Sequence, residues 1–593
     1  MRKHLAFAVS LVILVAGHAS AQRVEPAFAR EAVGLRATAA APHVADRAGI
    51  EPLFALGAAA AEVPEEIDAI RQWNAQGRSP AKNGFTRAIG EAVHVRVSAN
   101  ETAVQLAGGG IVTNSEHGTK VWSGSVRVAG AYRTRIHLKN VAVPPGTTFW
   151  VYGRGGETVS FSTELIDANG EVYTPSIAGD LAYLEMELPA GSPGGAFDIA
   201  DVLELVAGFG GPQPDDTPSC LIDATCVTSS TLDVVDLYRR AVADLFYVKG
   251  GSGFVCTGGL INDSEPSTFV PYLLTANHCF STQAAATTLE AFWDYRTSSC
   301  GGPSPSMSAS ERSNGSTLLA TGTSSDFTFV RLNTVPAGRA FLGWDARTSV
   351  ITAGTTLFRI SHPCPECPSD PRPQRFSTTL VTLSSSTCSG RPRGPYTYST
   401  MSTGGVYGGS SGSPVILAGG YVVGQLFGAC GPNDPSAGCD ASNLTLDGAF
   451  STTYPSVSSF IDAAPNASCT PNSTTACVLN NRFKVTVRFR NGFDNGAADT
   501  NAQVKSVTGF ANPSFETVFF YFNSESNIEM MLKILDQGNT NSQGQPTIAV
   551  LFGSATPLRI EITIFDTLKQ TTKTYTSAFG QMQGATDFTA FVK

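Results

Sequence analysis

The spacing of apolar and polar positions changes several times along the chain. In "VPEEIDAIRQWNAQG", Ile67, Ile70 and Trp73 recur at helical intervals, which predicts an amphipathic helix inside an alanine-rich stretch running from 22 to 89. From 90 to 208 the period shortens. "SVRVAGAYRTRIHLKNVAVPPGTTFWVYGRGGE" sets β-branched and aromatic residues between glycine and proline breaks, and we expect a β-sandwich there. The tail alternates with period two at Phe483, Val485, Val487 and Phe489, and again at Leu558, Ile560, Ile562 and Ile564. Such strands have one buried and one wet face, so a second sandwich is expected over 477–593. "GFGGPQPDDTPS" and "DAAPNASCTPNSTTAC" cannot hold a helix or a central strand and mark linkers at 209–218 and 464–476. The block between them, 219–463, carries ten of the twelve cysteines.

The first residues, "MRKHLAFAVSLVILVAGHASAQ", have a basic start, an apolar run from Leu5 to Ala16 and small residues at Ala19 and Ala21. This reads as a secretory signal over 1–21. The run is shorter than the roughly 20 apolar residues that a membrane span needs, and no later stretch reaches that length. An exported chain with an even cysteine number points to disulfides in an oxidising compartment, outside the cell. The net charge of −9, with no run of lysine or arginine to track phosphates, argues against a nucleic-acid partner.

Candidate chemistry concentrates in "GGSSGSPV", Gly408–Val415. Gly408, Ser410 and Gly412 satisfy the G-x-S-x-G elbow of α/β-hydrolases, but those enzymes carry their histidine after the serine, and no histidine follows His362. Reading Ser411 as the nucleophile gives G-x-S-G-x-P and requires an upstream base. The main-chain N–H groups of Gly409 and Ser411 would then bind the developing oxyanion. His278, in "YLLTANHCF", emerges at the end of an apolar strand. Cys279 can pair with Cys256, a closure worth roughly 3.5 kcal/mol that also fixes the base of the histidine. His362, in "SHPCPEC", suits a loop better. Among Asp294, Asp326, Asp345 and Asp370, Asp326 opens the β-branched and aromatic segment "DFTFVRL" and is the preferred partner for the imidazole N–H, while Asp294 and Asp345 each stand near an arginine. "CPEC" at 364–367 lacks a second ligand pair at zinc-site spacing, so no metal and no cofactor is expected.

On "SCLIDATC", "CTGGLIND", "LTANHC", "FWDYRTSSC", "SDFTFVRL", "GSSGSPV" and "GQLFG", the block 219–463 resembles the lysyl endopeptidase family of secreted bacterial, chymotrypsin-like serine peptidases. The resemblance implies an all-β, double β-barrel fold, a triad of His278, Asp326 and Ser411, and peptide-bond hydrolysis through an acyl-enzyme. It also implies disulfides Cys256–Cys279 and Cys226–Cys300, and a pairing of Cys220 with Cys430 or Cys439; Cys469 and Cys477 are close enough in sequence to pair. Residues 90–208 are similar to the pro-regions of such enzymes, which implies a folding aid that inhibits its own enzyme; the alanine-rich stretch 22–89 reads as a pro-segment, and the tail resembles a C-terminal accessory β-domain. Substrates would be proteins or peptides, and the enzyme a monomer. The alternative is an adhesion or binding protein whose barrel has lost its catalysis.

The substrate pocket departs from the family pattern. The family's lysine-binding aspartate, three residues before a glycine matching Gly448, aligns with Thr445, and the histidine of the family's "GQLHG" is Phe427, followed by Gly428. A neutral hydroxyl leaves a buried ammonium unpaired, at a cost of several kcal/mol, which predicts a non-basic preference. No lysine or arginine lies between Gly155 and Tyr238, so an enzyme specific for basic residues could not cut itself at the boundary near 209–219. The counter-reading puts the pocket charge on Asp447, two residues along the strand from Thr445.

Overall fold

A computed structural model describes residues 24–25, 27–29, 41–98, 100, 109–114, 118–206, 220–264, 269–363, 373–382, 390–430, 444–462, 469, 471–479, 482–490, 499–505, 517–541, 546–569 and 571–592. The signal-like segment 1–21, the linker 209–218, Asp370, Cys364, Cys367, Cys388, Cys439 and the side chain of Cys430 fall outside these. The chain divides into two compact units, one of residues up to 262 with 270–457, the other of 263–269 with 458 onward.

In the first unit the predicted helix is α1, Pro64–Ala75, started by a proline at its first position and burying Ile67 and Ile70. Strands β1 (Ala81–Ser98), β2 (Lys120–Val128), β3 (Arg133–Ala142), β4 (Thr148–Gly153), β5 (Leu181–Leu188) and β6 (Gly194–Leu205) follow. β3, β6 and β1 form one layer, and β2, β5 and β4 lie in another. Between them sits a core that includes Trp122, Phe149, Leu184 and Phe197. Two layers sharing an apolar interior make a sandwich.

The next strands are β7 (Val242–Lys249), β8 (Ser252–Leu260), β9 (Tyr272–Ala276), β10 (Glu290–Trp293), β11 (Arg312–Asn314), β12 (Ser316–Gly322) and β13 (Phe327–Leu332). Their order in the sheet is β11-β10-β7-β8-β9-β13-β12. The two outermost strands are one segment bent at Gly315, where φ is 73°, so the sheet closes on itself as a barrel. Further on come β14 (Gly343–Asp345), β15 (Thr356–Ser361), β16 (Arg375–Val381), β17 (Tyr396–Thr403), β18 (Pro414–Leu417), β19 (Tyr421–Cys430) and β20 (Leu444–Ala449). Here β19-β18-β15-β16-β17-β20 returns to β19, a second closed ring of six strands. Closure removes the exposed sheet edges that would otherwise invite pairing.

β1 crosses the boundary placed at 90. Its first half pairs antiparallel with β8 of the first barrel through Ala81, Lys82, Gly84 and Phe85, while its second half stays in the sandwich. Two glycines make this long strand possible. A Cβ on Gly84 would lie 2.7 Å from the Glu204 carbonyl oxygen, and Gly90 (φ 82°) sits beside the register shift between Ile199 and Asp201 on β6.

The second unit has β21 (Phe483–Arg490), β22 (Met530–Thr540), β23 (Pro546–Ser554), β24 (Arg559–Asp566), β25 (Thr571–Ser577) and β26 (Gly584–Val592). β21, β24 and β25 belong to one five-stranded sheet, and β22, β23 and β26 to the other. The alternating Phe483, Val485, Val487 and Phe489 meet Leu532, Ile534 and Ile548 in a shared core, with Ile560, Ile562 and Ile564 beside them. Cys469 and Cys477 are bonded.

Candidate active site

Three loops bring the candidate chemistry together in the first unit. His278 follows β9, and the Cys256–Cys279 disulfide ties its neighbour to β8. Asp326 immediately precedes β13 and sits in the left-handed region, φ 54°. This conformation lets one carboxylate take two bonds from the same residue. The His278 main-chain N–H donates to Oδ1 (2.9 Å), and its Nδ1 donates to Oδ2 (2.6 Å). A carboxylate on Nδ1 fixes the tautomer that leaves Nε2 as an acceptor. The Asp326 turn is anchored in its own right: its carbonyl accepts from the Asn277 N–H at 2.9 Å, and the buried Gln425 amide donates to the carbonyls of Ser325 (2.6 Å) and Asp326 (3.3 Å). Gly448 leaves room for that amide, since a Cβ there would be 1.8 Å from the Ser325 carbonyl oxygen.

Ser410 and Ser411 point in opposite directions. The fully buried Ser410 hydroxyl accepts from Ser361 at 3.0 Å. Ser411 turns toward His278, its carbonyl held by the Thr257 N–H at 2.8 Å. Gly409 adopts φ 90° and Gly412 φ 79°. A Cβ on Gly412 would lie 2.2 Å from Thr275 Oγ1, so only glycine lets the loop press against β9. Among the described residues, the main-chain N–H groups of Gly409 and Ser411 have no protein acceptor.

A residue that sequence reasoning missed stands between His278 and Ser411. Ser79, in the turn joining α1 to β1, places its hydroxyl 2.9 Å from His278 Nε2 and 2.8 Å from Ser411 Oγ. The turn is clamped by α1. Trp73 Nε1 donates to the Pro80 carbonyl at 2.8 Å, and Asn74 exchanges two 2.9 Å bonds with the main chain of Lys82. "GRSPAK" carries no motif; its significance is entirely tertiary.

The remaining candidates separate cleanly. Phe427 is partly exposed and meets the His278 ring edge-on, centroids 5.7 Å apart, and Gly428 follows it on the open end of β19. Thr445 is fully buried and donates to the Ser399 carbonyl. Asp447 corrects the counter-reading that gave it the pocket charge. It is completely buried, and its Oδ1 takes the equally buried Arg359 guanidinium at 2.7 Å, so its charge is already spoken for. Burial pushes its carboxyl above the ordinary range, with Arg359 pulling the other way. Asp294 pairs with Arg296 and Arg339, and Asp345 with Arg347, leaving both away from His278. His362 is buried, its N–H bonded to Thr257 Oγ1. Cys226 and Cys300 are bonded, and Cys220 is in a disulfide.

Two antiparallel barrels, the first contributing a histidine and an aspartate and the second a serine, define a chymotrypsin-like architecture. Residues 59–201 match the model for the lysyl endopeptidase N-terminal domain, and residues 214–442 the model for the lysyl endopeptidase C-terminal domain. The chain belongs to the lysyl endopeptidase family. It is 28% identical over 257 residues to a lysyl endopeptidase of Pseudomonas aeruginosa, a match that covers 41% of this chain and 54% of that protein, about half its length. Similar solved structures include the Rv3671c protease of M. tuberculosis in its active form (14% identity, TM-score 0.27, 42% of this chain and 93% of that one). Protease Anisep from Arthrobacter nicotinovorans is another (18%, 0.27, 36% and 94%).

Proposed function

We propose that this protein is a secreted serine endopeptidase made as a latent precursor. The observation that carries the reading is the pair of bonds from His278 to Asp326 with Ser411 one hydroxyl away from Nε2. With the site open, Ser411 Oγ attacks a peptide carbonyl carbon while Nε2 takes its proton, and the carbonyl becomes an oxyanion facing the N–H groups of Gly409 and Ser411. The imidazolium, held by Asp326, returns the proton to the leaving amine. Water then repeats the sequence on the acyl-enzyme and frees Ser411.

Latency is supported by the Ser79 turn, which fills the space where a substrate carbonyl must lie. Residues 22–208 act as the inhibitor of their own enzyme, and cutting near 209–219 starts activation. In the first pocket, Thr445 is neutral and Asp447 is neutralised by Arg359, which favours a non-basic residue before the scissile bond, in contrast to what the relatives' name denotes. Fluorophosphonate labelling of protein freed of residues 22–208 tests the enzyme reading. An adduct on Ser411 is expected, and unlabelled, folded protein would overturn it.

A further inference from the structure

The wall of the cleft carries a cation that the catalytic reading does not use. Arg391 precedes β17 and stacks its guanidinium over Phe427, with Cζ 4.7 Å from the ring centroid and 5.5 Å from that of Tyr396. Phe427 in turn meets His278 edge-on. One aromatic ring thus separates the guanidinium from the imidazole. Other arginines near the centre are paired, Arg359 with Asp447 and Arg339 with Asp294, but no carboxylate among the described residues pairs with Arg391. Stacking on a ring satisfies the face of a guanidinium and leaves its in-plane N–H donors free, the geometry that takes a carboxylate through two parallel bonds.

The N-terminal segment shows which part of a substrate would meet this group. From Ser79 in the site, the chain continues along β8 through Ala81 and Lys82. A substrate crossing in the same direction lays its C-terminal half on β8 and its N-terminal half against Phe427. The residue before Ser79, Arg78, is folded back over Trp73, Cζ 5.0 Å from the ring centroid.

We propose that Arg391 is a specificity residue, selecting an aspartate or glutamate in the substrate residues just before the one whose carbonyl is attacked. The assignment rests on the peptidase reading above and adds the substrate class. A pocket without available negative charge beside a wall with an unpaired positive one makes this cleft the electrostatic inverse of a lysine-selective site.

The test uses protein freed of residues 22–208 and fluorogenic peptides identical except for Glu, Gln or Lys at the second or third position before the scissile bond. At low salt, kcat/KM for one Glu peptide is expected to exceed its Gln counterpart by about tenfold, with Lys lowest, and the gap should shrink as salt rises. Arg391→Gln should bring Glu and Gln within about twofold of each other, read as the ratio of the two peptides on the same variant; Arg391→Glu should favour Lys. Equal rates for Glu and Gln in the unaltered protein, or a Glu preference that survives Arg391→Gln, would overturn the assignment while the enzyme reading stands. No hydrolysis of any peptide together with no fluorophosphonate adduct would overturn both.

Discussion

Adjacent serines in "GGSSGSPV" differ because the loop between Gly409 and Gly412 turns one inward and one outward. Ser410 satisfies Ser361 in the interior, so Ser410→Ala should cost about 1 kcal/mol of stability and leave most of kcat/KM. Ser411→Ala should abolish hydrolysis, a loss of several orders of magnitude measured on protein freed of its N-terminal region. Equal losses would mean that the nucleophile has been misplaced. The Arg359–Asp447 pair makes a separate point at this scale. Removing either partner strands a buried charge, so Arg359→Met or Asp447→Leu alone should lower unfolding free energy by about 3–5 kcal/mol, while the double replacement should lose far less. Denaturant titration of the three variants reads the difference. The sequence made the proposed triad legible because each member lies in a block with its own local logic, a strand end, a strand start and a glycine turn. Ser79 and Gln425 lack such logic, since each acts on atoms distant in the chain. Asp447 was misleading for a related reason: its strand face was readable, but the arginine already waiting on that face was not.

At the scale of elements, strand alternation was legible in the tail, at Phe483–Phe489 and Leu558–Ile564, while β-branched and aromatic runs between glycine and proline breaks marked strands over 90–208. What it could not show is that β1 belongs to two domains at once. Gly84 and Gly90 permit close strand approach and a bulge within one long strand, roles that only the neighbouring strands reveal. The proposed inhibitor is therefore a turn held between α1 and a strand that joins the enzyme's own sheet. Ser79→Ala should remove two hydrogen bonds from the blocked site and speed fluorophosphonate labelling of the uncut precursor by about 5- to 20-fold. Asn74→Ala, which frees the main chain of Lys82, should act in the same direction without touching the site. Labelling rates unchanged in both would argue that the turn is not what blocks the cleft.

At the scale of the whole molecule, the N-terminal region grips both barrels. Val24–Glu25 pairs with β14, which itself pairs with β19 of the second barrel, and Phe28–Ala29 pairs with Ala340–Phe341, while β1 pairs with β8 on the first. None of these contacts depends on the covalent link near 209–219. Breaking that link changes the connectivity but leaves the sheet intact, so scission and the onset of activity become separate events. After a specific cut, activity should rise with a lag whose rate constant is independent of protein concentration, as befits first-order dissociation, and substitutions in the β1–β8 pairing should shorten it. Activity appearing in step with the cut would exclude this. On the proposed reading, that shared strand would act as a timer: the half-life of a non-covalent complex, rather than the moment of proteolysis, would decide how far from its point of synthesis the enzyme begins to work.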